Sequence, residues 1–282
     1  MTRAQASAAL RDPARSCYSV DMVGSRLGRL LLLLSGLGLV GCGPEFSDSE
    51  ADAGAGADQV PEDGLLYWFS ADQGVVVDSG RVAKWTNRAG NGLDATQISE
   101  DSRPKLDELG DSRHPALRFD GENDFLGLPP LTATFERGVS IFSTARSEGT
   151  DVCMAMLEVS NGSEIDDISF DWAREDLLQY EVFDNTLKGQ NGAFTPGEPR
   201  LLEAIQEPSG DVTLWMNGLA NGVGSFALPV DAERNQNFVG RTLYQSCPTW
   251  AGEIGEILFY SRALDSTERR SVEAYLEKKW GF

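Results

Sequence analysis

Residues 250–282 read W-A-G-E-I-G-E-I-L-F-Y-S-R-A-L-D-S-T-E-R-R-S-V-E-A-Y-L-E-K-K-W-G-F. Two periodicities follow one another in this stretch. Residues 252–260 read as a strand: Ile254 and Leu258 fall on one face and Ile257 and Phe259 on the other, so the strand is expected to be buried on both sides for part of its length. Residues 261–264 connect. Asp265 is then the expected N-cap, with Glu268 as its capping-box partner. Val272, Tyr275, Leu276 and Trp280 form an apolar stripe at helical spacing, and Gly281 stops the helix. The expectation is one core strand followed by one covering helix.

Working back from that stretch, residues 64–243 read as short apolar runs separated by turns, with no helical pattern of any length. The runs are 65–70, 82–85, 115–119, 124–128, 139–145, 152–159, 168–172, 178–183, 201–206, 212–216, 223–228 and 238–243. Turn residues punctuate them, as in Asp78-Ser79-Gly80, Asp120-Gly121 and Pro208-Ser209-Gly210. Thirty Gly and 12 Pro in 282 residues suit such a chain. The fold class expected is all-β, a sandwich of two antiparallel sheets with one C-terminal helix.

The N-terminal part has a different character. Residues 30–40 are an apolar run of eleven, mostly leucine, preceded by Arg26 and Arg29. A bilayer span takes ~20 residues, so the run is too short to be one. It ends in Leu39-Val40-Gly41-Cys42, which resembles the bacterial lipobox. That resemblance implies a signal peptide over 1–42, diacylglycerol transfer to Cys42 and cleavage before it; an ordinary secretory signal with an incidental cysteine is the alternative. Asp12 and Asp21 are foreign to a basic leader, and starting at Met22 gives a normal one. Gly43 after Cys42 is not the aspartate that holds lipoproteins at the inner membrane, so the expected location is the outer membrane or cell surface.

Residues 43–62 are small, acidic and Gly/Ala-rich, which reads as a disordered tether with a mean span of about 25 Å. Removing residues 1–42 takes away five Arg and two Asp. The remainder holds 19 basic and 42 acidic residues, a net of −23 against −20 for the whole chain. Phosphate backbones repel such a charge, so nucleic acid is not an expected partner.

The runs L-L-Y-W-F-S-A-D-Q-G-V and G-R-V-A-K-W-T-N-R-A-G (within 65–90), P-A-L-R-F-D-G-E-N-D-F-L (115–126), L-W-M-N-G (214–218) and W-A-G-E-I-G-E-I-L-F-Y-S-R-A-L (250–264) resemble concanavalin A-like, laminin-G-like jelly rolls. The resemblance covers 63–282. It implies a jelly-roll domain used for binding carbohydrate or protein, and no single activity, because the fold hosts lectins, glycosidases and adhesive modules. The leading expectation is a recognition module for carbohydrate or another extracellular polymer. The second is a structural or adhesive surface protein with a protein partner. The third is a glycosidase.

Glycosidases of this superfamily carry alternating carboxylates on one strand, because alternation places them on one face of the sheet. Glu164-Ile165-Asp166-Asp167-Ile168-Ser169 resembles the start of that motif, but Ile168 or Ser169 stands where the last carboxylate belongs. On this ground the chain is expected not to be an enzyme. The one histidine, His114, leaves little for a His-based metal cluster or triad.

Three smaller features remain. Cys153 and Cys247 are expected to pair in an oxidising compartment, where closing a loop of about 95 residues stabilises by ~4–5 kcal/mol; two thiols are the alternative. Asp120, Glu122, Asn123 and Asp124 crowd oxygens into one short loop, which reads either as a plain Asp-Gly turn or as a calcium site, calcium being possible but not required. Trp172, Tyr180, Trp215 and Trp250 are the aromatics near strand ends or turns that sugars could stack on, with Trp172, Tyr180 and Trp250 the candidates retained.

Overall fold

A computed structural model describes residues 59–148, 154–163, 165–173, 177–190, 195–244, 247 and 249–282. Within them the chain runs β1 (Leu65–Ser70), β2 (Val75–Asp78), β3 (Arg81–Trp85), β4 (Ala95–Thr96), β5 (Lys105–Glu108), β6 (Pro115–Asp120), β7 (Leu126–Leu128), β8 (Leu131–Ala133), β9 (Val139–Ser147) and β10 (Met154–Ser160). It continues through β11 (Ile168–Ala173), β12 (Leu177–Val182), β13 (Asn185–Lys188), β14 (Arg200–Gln206), β15 (Asp211–Met216), β16 (Leu219–Ser225), β17 (Ala232–Arg234), β18 (Gln236–Val239) and β19 (Ala251–Tyr260) to α1 (Ser266–Trp280).

Two large antiparallel sheets form the expected jelly-roll sandwich. One has the order β16-β15-β14-β9-β19-β6-β5, with β1 also pairing β19; the other is β13-β12-β11-β10-β18-β7-β4-β3-β2, and β17-β8 forms a small third sheet. Aromatics bridge the sandwich: Phe69 of β1 and Trp85 of β3 lie with ring centroids 5.4 Å apart, and the Tyr180 hydroxyl of β12 donates to Gln206 Oε1 of β14 at 2.9 Å.

The 250–282 stretch folds as its two periods require. β19 sits between β9, β6 and β1, and almost all of it is buried. Its pairing shifts between Ile254 and Glu256. Such a bulge resets the alternation, so faces assigned from sequence on one side of it do not carry over to the other. Gly255 is the extra residue, and a Cβ there would lie 2.7 Å from the Trp280 ring. In α1 the Asp265 side chain accepts from the Thr267 and Glu268 backbone, the Glu268 side chain accepts in return, and Gly281 closes the helix at φ 79°. Val272, Leu276 and Trp280 are buried against the outer side of the eight-stranded sheet.

Polar groups fix that docking. Buried Glu256 on β19 accepts from Trp68 Nε1 at 2.6 Å, the Tyr275 hydroxyl at 2.8 Å and Trp280 Nε1 at 2.9 Å, and pairs with Lys279 at 2.9 Å. Buried Glu203 on β14 pairs with Arg269 at 3.1 Å; Arg269 also pairs with Glu273 and lies 3.7 Å over the Trp215 ring.

Several expectations need correction. β16 begins at Leu219 rather than 223, because Asn217-Gly218 makes a tight turn with φ 48° and 72°. β18 covers 236–239, and the run expected to extend to 243 leaves the sheet after Val239. β2, β5 and β13 are short strands with much exposed surface, and β4, β8 and β17 are only two or three residues long, which leaves too short a pattern to read. Residues 59–62, assigned to the tether, join the domain: Val60 packs against the core and the Gln59 carbonyl accepts from Ser271 Oγ at 2.9 Å. The signal peptide, Cys42, Met22 and residues 43–58 lie outside the described residues.

Candidate functional site

The outward face of the nine-stranded sheet is built by register. Alternate residues Val159, Ile168, Phe170, Trp172, Leu178, Tyr180, Val182 and Val239 fill the core. Their neighbours along each strand therefore point the other way. Direct pairing then draws one row across eight strands: Lys84, Thr96, Gly127, Phe238, Glu158, Ser169, Glu181, Thr186. A second row, Asp171-Gln179-Lys188, runs beside it.

The middle of this face is polar yet withdrawn from solvent. Glu158 is 3% exposed, Ser169 4% and Asp171 7%. Part of the cover is the segment after β18, where the Leu243 backbone N–H points at both Glu158 oxygens at 3.3 Å. Ser160 Oγ donates to Glu158 at 3.0 Å and Ser169 Oγ donates to Asp171. Gln179 and Thr186 donate to Glu181 at 3.1 and 2.9 Å. Towards β7 the row opens: Arg241 lies 4.7 and 5.0 Å over the rings of Phe125 and Phe238, and Thr96 is exposed.

Burial raises the Glu158 carboxyl, against the pull of its hydrogen bonds, and raises Asp171 well above the usual carboxylate range, helped by the charges of Glu158, Glu181 and Asp167. Glu158 faces Ser169, so Asp171 is its diagonal neighbour, about 7–8 Å away in such a ladder. Carboxyls held this way accept from or donate to hydroxyls.

The sequence did not single out Glu158 or Asp171. The carboxylate sought at Ile168 or Ser169 stands two residues further on: Ile168 faces the core, while Ser169 and Asp171 share the outward face. The polar-apolar alternation of I-S-F-D-W was the available signal. Glu158 joins them only through strand pairing. Glu164 lies outside the described residues.

The three retained aromatics are core residues, which corrects their reading as stacking platforms. Trp172 is 1% exposed and Tyr180 and Trp250 are fully buried; Trp172 and Trp250 pack edge to face with centroids 6.3 Å apart. Trp215 is half-buried beneath Arg269. His114 packs against Trp280 at 5.5 Å.

The 120–124 loop brings Asp120 and Asp124 together and leaves Glu122 and Asn123 exposed. Asp120 Oδ1 accepts from the backbone of Glu122, Asn123 and Asp124 at 2.9, 3.1 and 3.2 Å. Asp124 accepts from Asp120 N and pairs with Arg81, both at 3.2 Å. Burial and the Asp120 charge push Asp124 to about 6, and a small cavity beside it is lined by Arg81, Lys105 and Arg118 as well as the two aspartates. Among the described residues no group of three or more His, Cys, Asp or Glu side chains is placed to hold a metal. Cys153 lies outside the described residues; Cys247 sits in the loop before β19.

No family model matches the chain, and no curated protein matches it. Solved structures do. Domain 4 of AbnA, a GH43 extracellular arabinanase from Geobacillus stearothermophilus, in complex with arabinotriose, aligns at a TM-score of 0.56 and 16% identity over 76% of this chain and 100% of that one. Trypanosoma rangeli sialidase in complex with sialic acid aligns at 0.53 and 13% over 78% of this chain and 34% of that one. The chain thus spans about a third of the sialidase chain. At these identities the likeness is one of fold. It corrects the expectation of a chain outside the enzymes, which rested on an incomplete strand motif: solved chains of this fold include a sialidase and a domain of an arabinanase.

Proposed function

We propose that this chain recognises carbohydrate, and that glycan lies along the outward face of the nine-stranded sheet, across Phe238, Glu158, Ser169 and Asp171. The observation that carries the reading is the row of paired polar side chains whose carboxylates are withdrawn from solvent on a face that is not the core. Desolvated carboxylates are costly unless hydrogen-bonded, and sugar hydroxyls are partners that such groups can take. The carbohydrate-active neighbours support the same class of ligand.

The test is electrophoretic retardation of the full chain in gels containing arabinan, xylan, β-glucan or sialylated glycoprotein, with released reducing ends read in parallel. Retardation by at least one glycan, lost in Glu158→Gln at unchanged Tm, is the expected result. No retardation and no cleavage with any of them overturns the reading.

A laminin-G-like domain anchored through lipidated Cys42 at the outer membrane or cell surface is supported by the lipobox-like L-V-G-C; Cys42→Ser should abolish partition into the detergent phase. Cys153 is the proposed disulfide partner of Cys247, supported by their being two cysteines in the part of the chain expected to be exported; equal migration with and without reductant, after alkylation under denaturing conditions, would exclude it. Calcium at 120–124 is tested by melting in calcium against EDTA.

A further inference from the structure

A separate cavity of about 230 Å³ lies where the ends of β11, β12 and β17 meet, lined by Asp166, Asp167, Phe183, Asn185, Val230 and Arg234 among others. Three observations single it out. Arg234 is fully buried, yet it forms no ion pair with a carboxylate among the described residues. Its guanidinium donates instead to backbone carbonyls: Nε to Asp166, Nη2 to Val230 at 3.0 Å, and Nη1 to Ala232 at a long 3.5 Å. A guanidinium has five N–H donors, so these bonds do not exhaust it.

Phe183 is the first of the two residues joining β12 to β13, at φ 56°. Glycine is the usual occupant of that position. A phenylalanine there is a strained choice, and the residue is nonetheless 49% exposed. Asp166, on the same cavity, is also at positive φ, 52°.

We propose that this cavity is a binding site for one neutral monosaccharide unit. The aromatic ring of Phe183 and the side chain of Val230 offer an apolar wall for the C–H face of a sugar ring. Arg234 and Asn185 bring donors to hydroxyl oxygens, and the aspartates bring acceptors to hydroxyl protons. Asn185 Nδ2 makes only long bonds, to Val182 O and Asp184 Oδ1, both at 3.4 Å. The volume falls below the roughly 300–1,000 Å³ of drug-sized sites, which fits a single ring. Asp166, Asp167 and Asp231 surround the one arginine and set acidic sugars at a disadvantage.

The site is distinct from the outward face, and the two readings fail separately: the face is read on polysaccharides with Glu158→Gln, the cavity on free monosaccharides with Phe183→Gly. The experiment is saturation-transfer NMR and calorimetry on the full chain with arabinose, xylose, glucose and galactose, and with glucuronic and galacturonic acids. Expected is saturable binding of at least one neutral sugar at ~mM Kd. Phe183→Gly should weaken it at least tenfold, with Tm unchanged or raised because the strain is relieved, and Asn185→Ala should weaken it with Tm unchanged. Absence of saturable binding, tighter binding of the acids, or neutral-sugar binding that Phe183→Gly leaves intact would each overturn the proposal.

Discussion

The indole N–H of Trp280 donates to Glu256 Oε2 at 2.9 Å, joining the last turn of α1 to the central strand of the eight-stranded sheet. The carboxylate serves two tryptophans, a tyrosine and a lysine at once. Removing it strands both indole N–H groups, while Lys279 keeps Ser70, Asp72 and the Tyr275 hydroxyl. Glu256→Ala should cost about 3–5 kcal/mol, the scale for breaking a buried charge pair. Trp280→Phe keeps an aromatic ring but loses the N–H and the rest of the buried indole bicycle, and should cost about 2–3 kcal/mol. Urea midpoints check both; equal small losses would mean that apolar packing alone docks the helix.

Gly255 is a separate requirement of the same contact. A methyl group there meets the Trp280 ring at 2.7 Å and Thr144 Oγ1 at 2.8 Å. Gly255→Ala should destabilise by about 1–3 kcal/mol through overpacking. Thermal melting decides, and a Tm equal to wild type would refute the clash.

Asp124 gives the 120–124 turn a pH dependence. Its folded pKa, about 6, lies above the unfolded value of about 3.9. The folded state therefore holds the proton more tightly. Stability from this group is present below the unfolded value and declines as pH rises through the window to about 6. Asp124→Asn does not titrate. Its Tm relative to wild type should rise between pH 4 and pH 7, and a constant difference would count against the raised pKa.

Asp171 follows the same sign more strongly, since burial comes first among its causes and three further carboxylates add to it. Asp171→Asn should leave stability near that of wild type at pH 4 and raise it at pH 8, by about 0.5–2 kcal/mol. Glycan retardation should fall in the same variant. A variant that is less stable at pH 8 would show the carboxylate to be a structural group rather than one kept for ligand.

The sequence carried the sandwich, β19 and the helix with its caps, because each rests on a local period: alternation in 168–172 and 178–182, helical spacing in 272–280, and Asp265 with Glu268 in one turn. It did not carry the outward row. Glu158 and Ser169 are eleven residues apart and meet only when β10 pairs with β11, and Phe238 joins through β18, eighty residues downstream of Glu158. Trp172, Tyr180 and Trp250 misled for a related reason: nearness to a strand end says nothing about which face a side chain takes, and all three take the inner one. Arg234 was unreadable because its burial depends on Asp166 and Val230 reaching it from two other loops.

The Gln59 carbonyl rests on Ser271 of α1, and α1 lies against the outer side of the eight-stranded sheet, the side opposite the polar row. The segment that enters the domain at Gln59 therefore enters on its helix side. The polar face of the nine-stranded sheet, where glycan binding is proposed, lies on the other side and stays free for large polymers when the domain is held at Gln59. A biosensor surface coupled through residues preceding Gln59 should give full binding capacity, whereas coupling through Lys84 or Lys188 on the rows themselves should mask it.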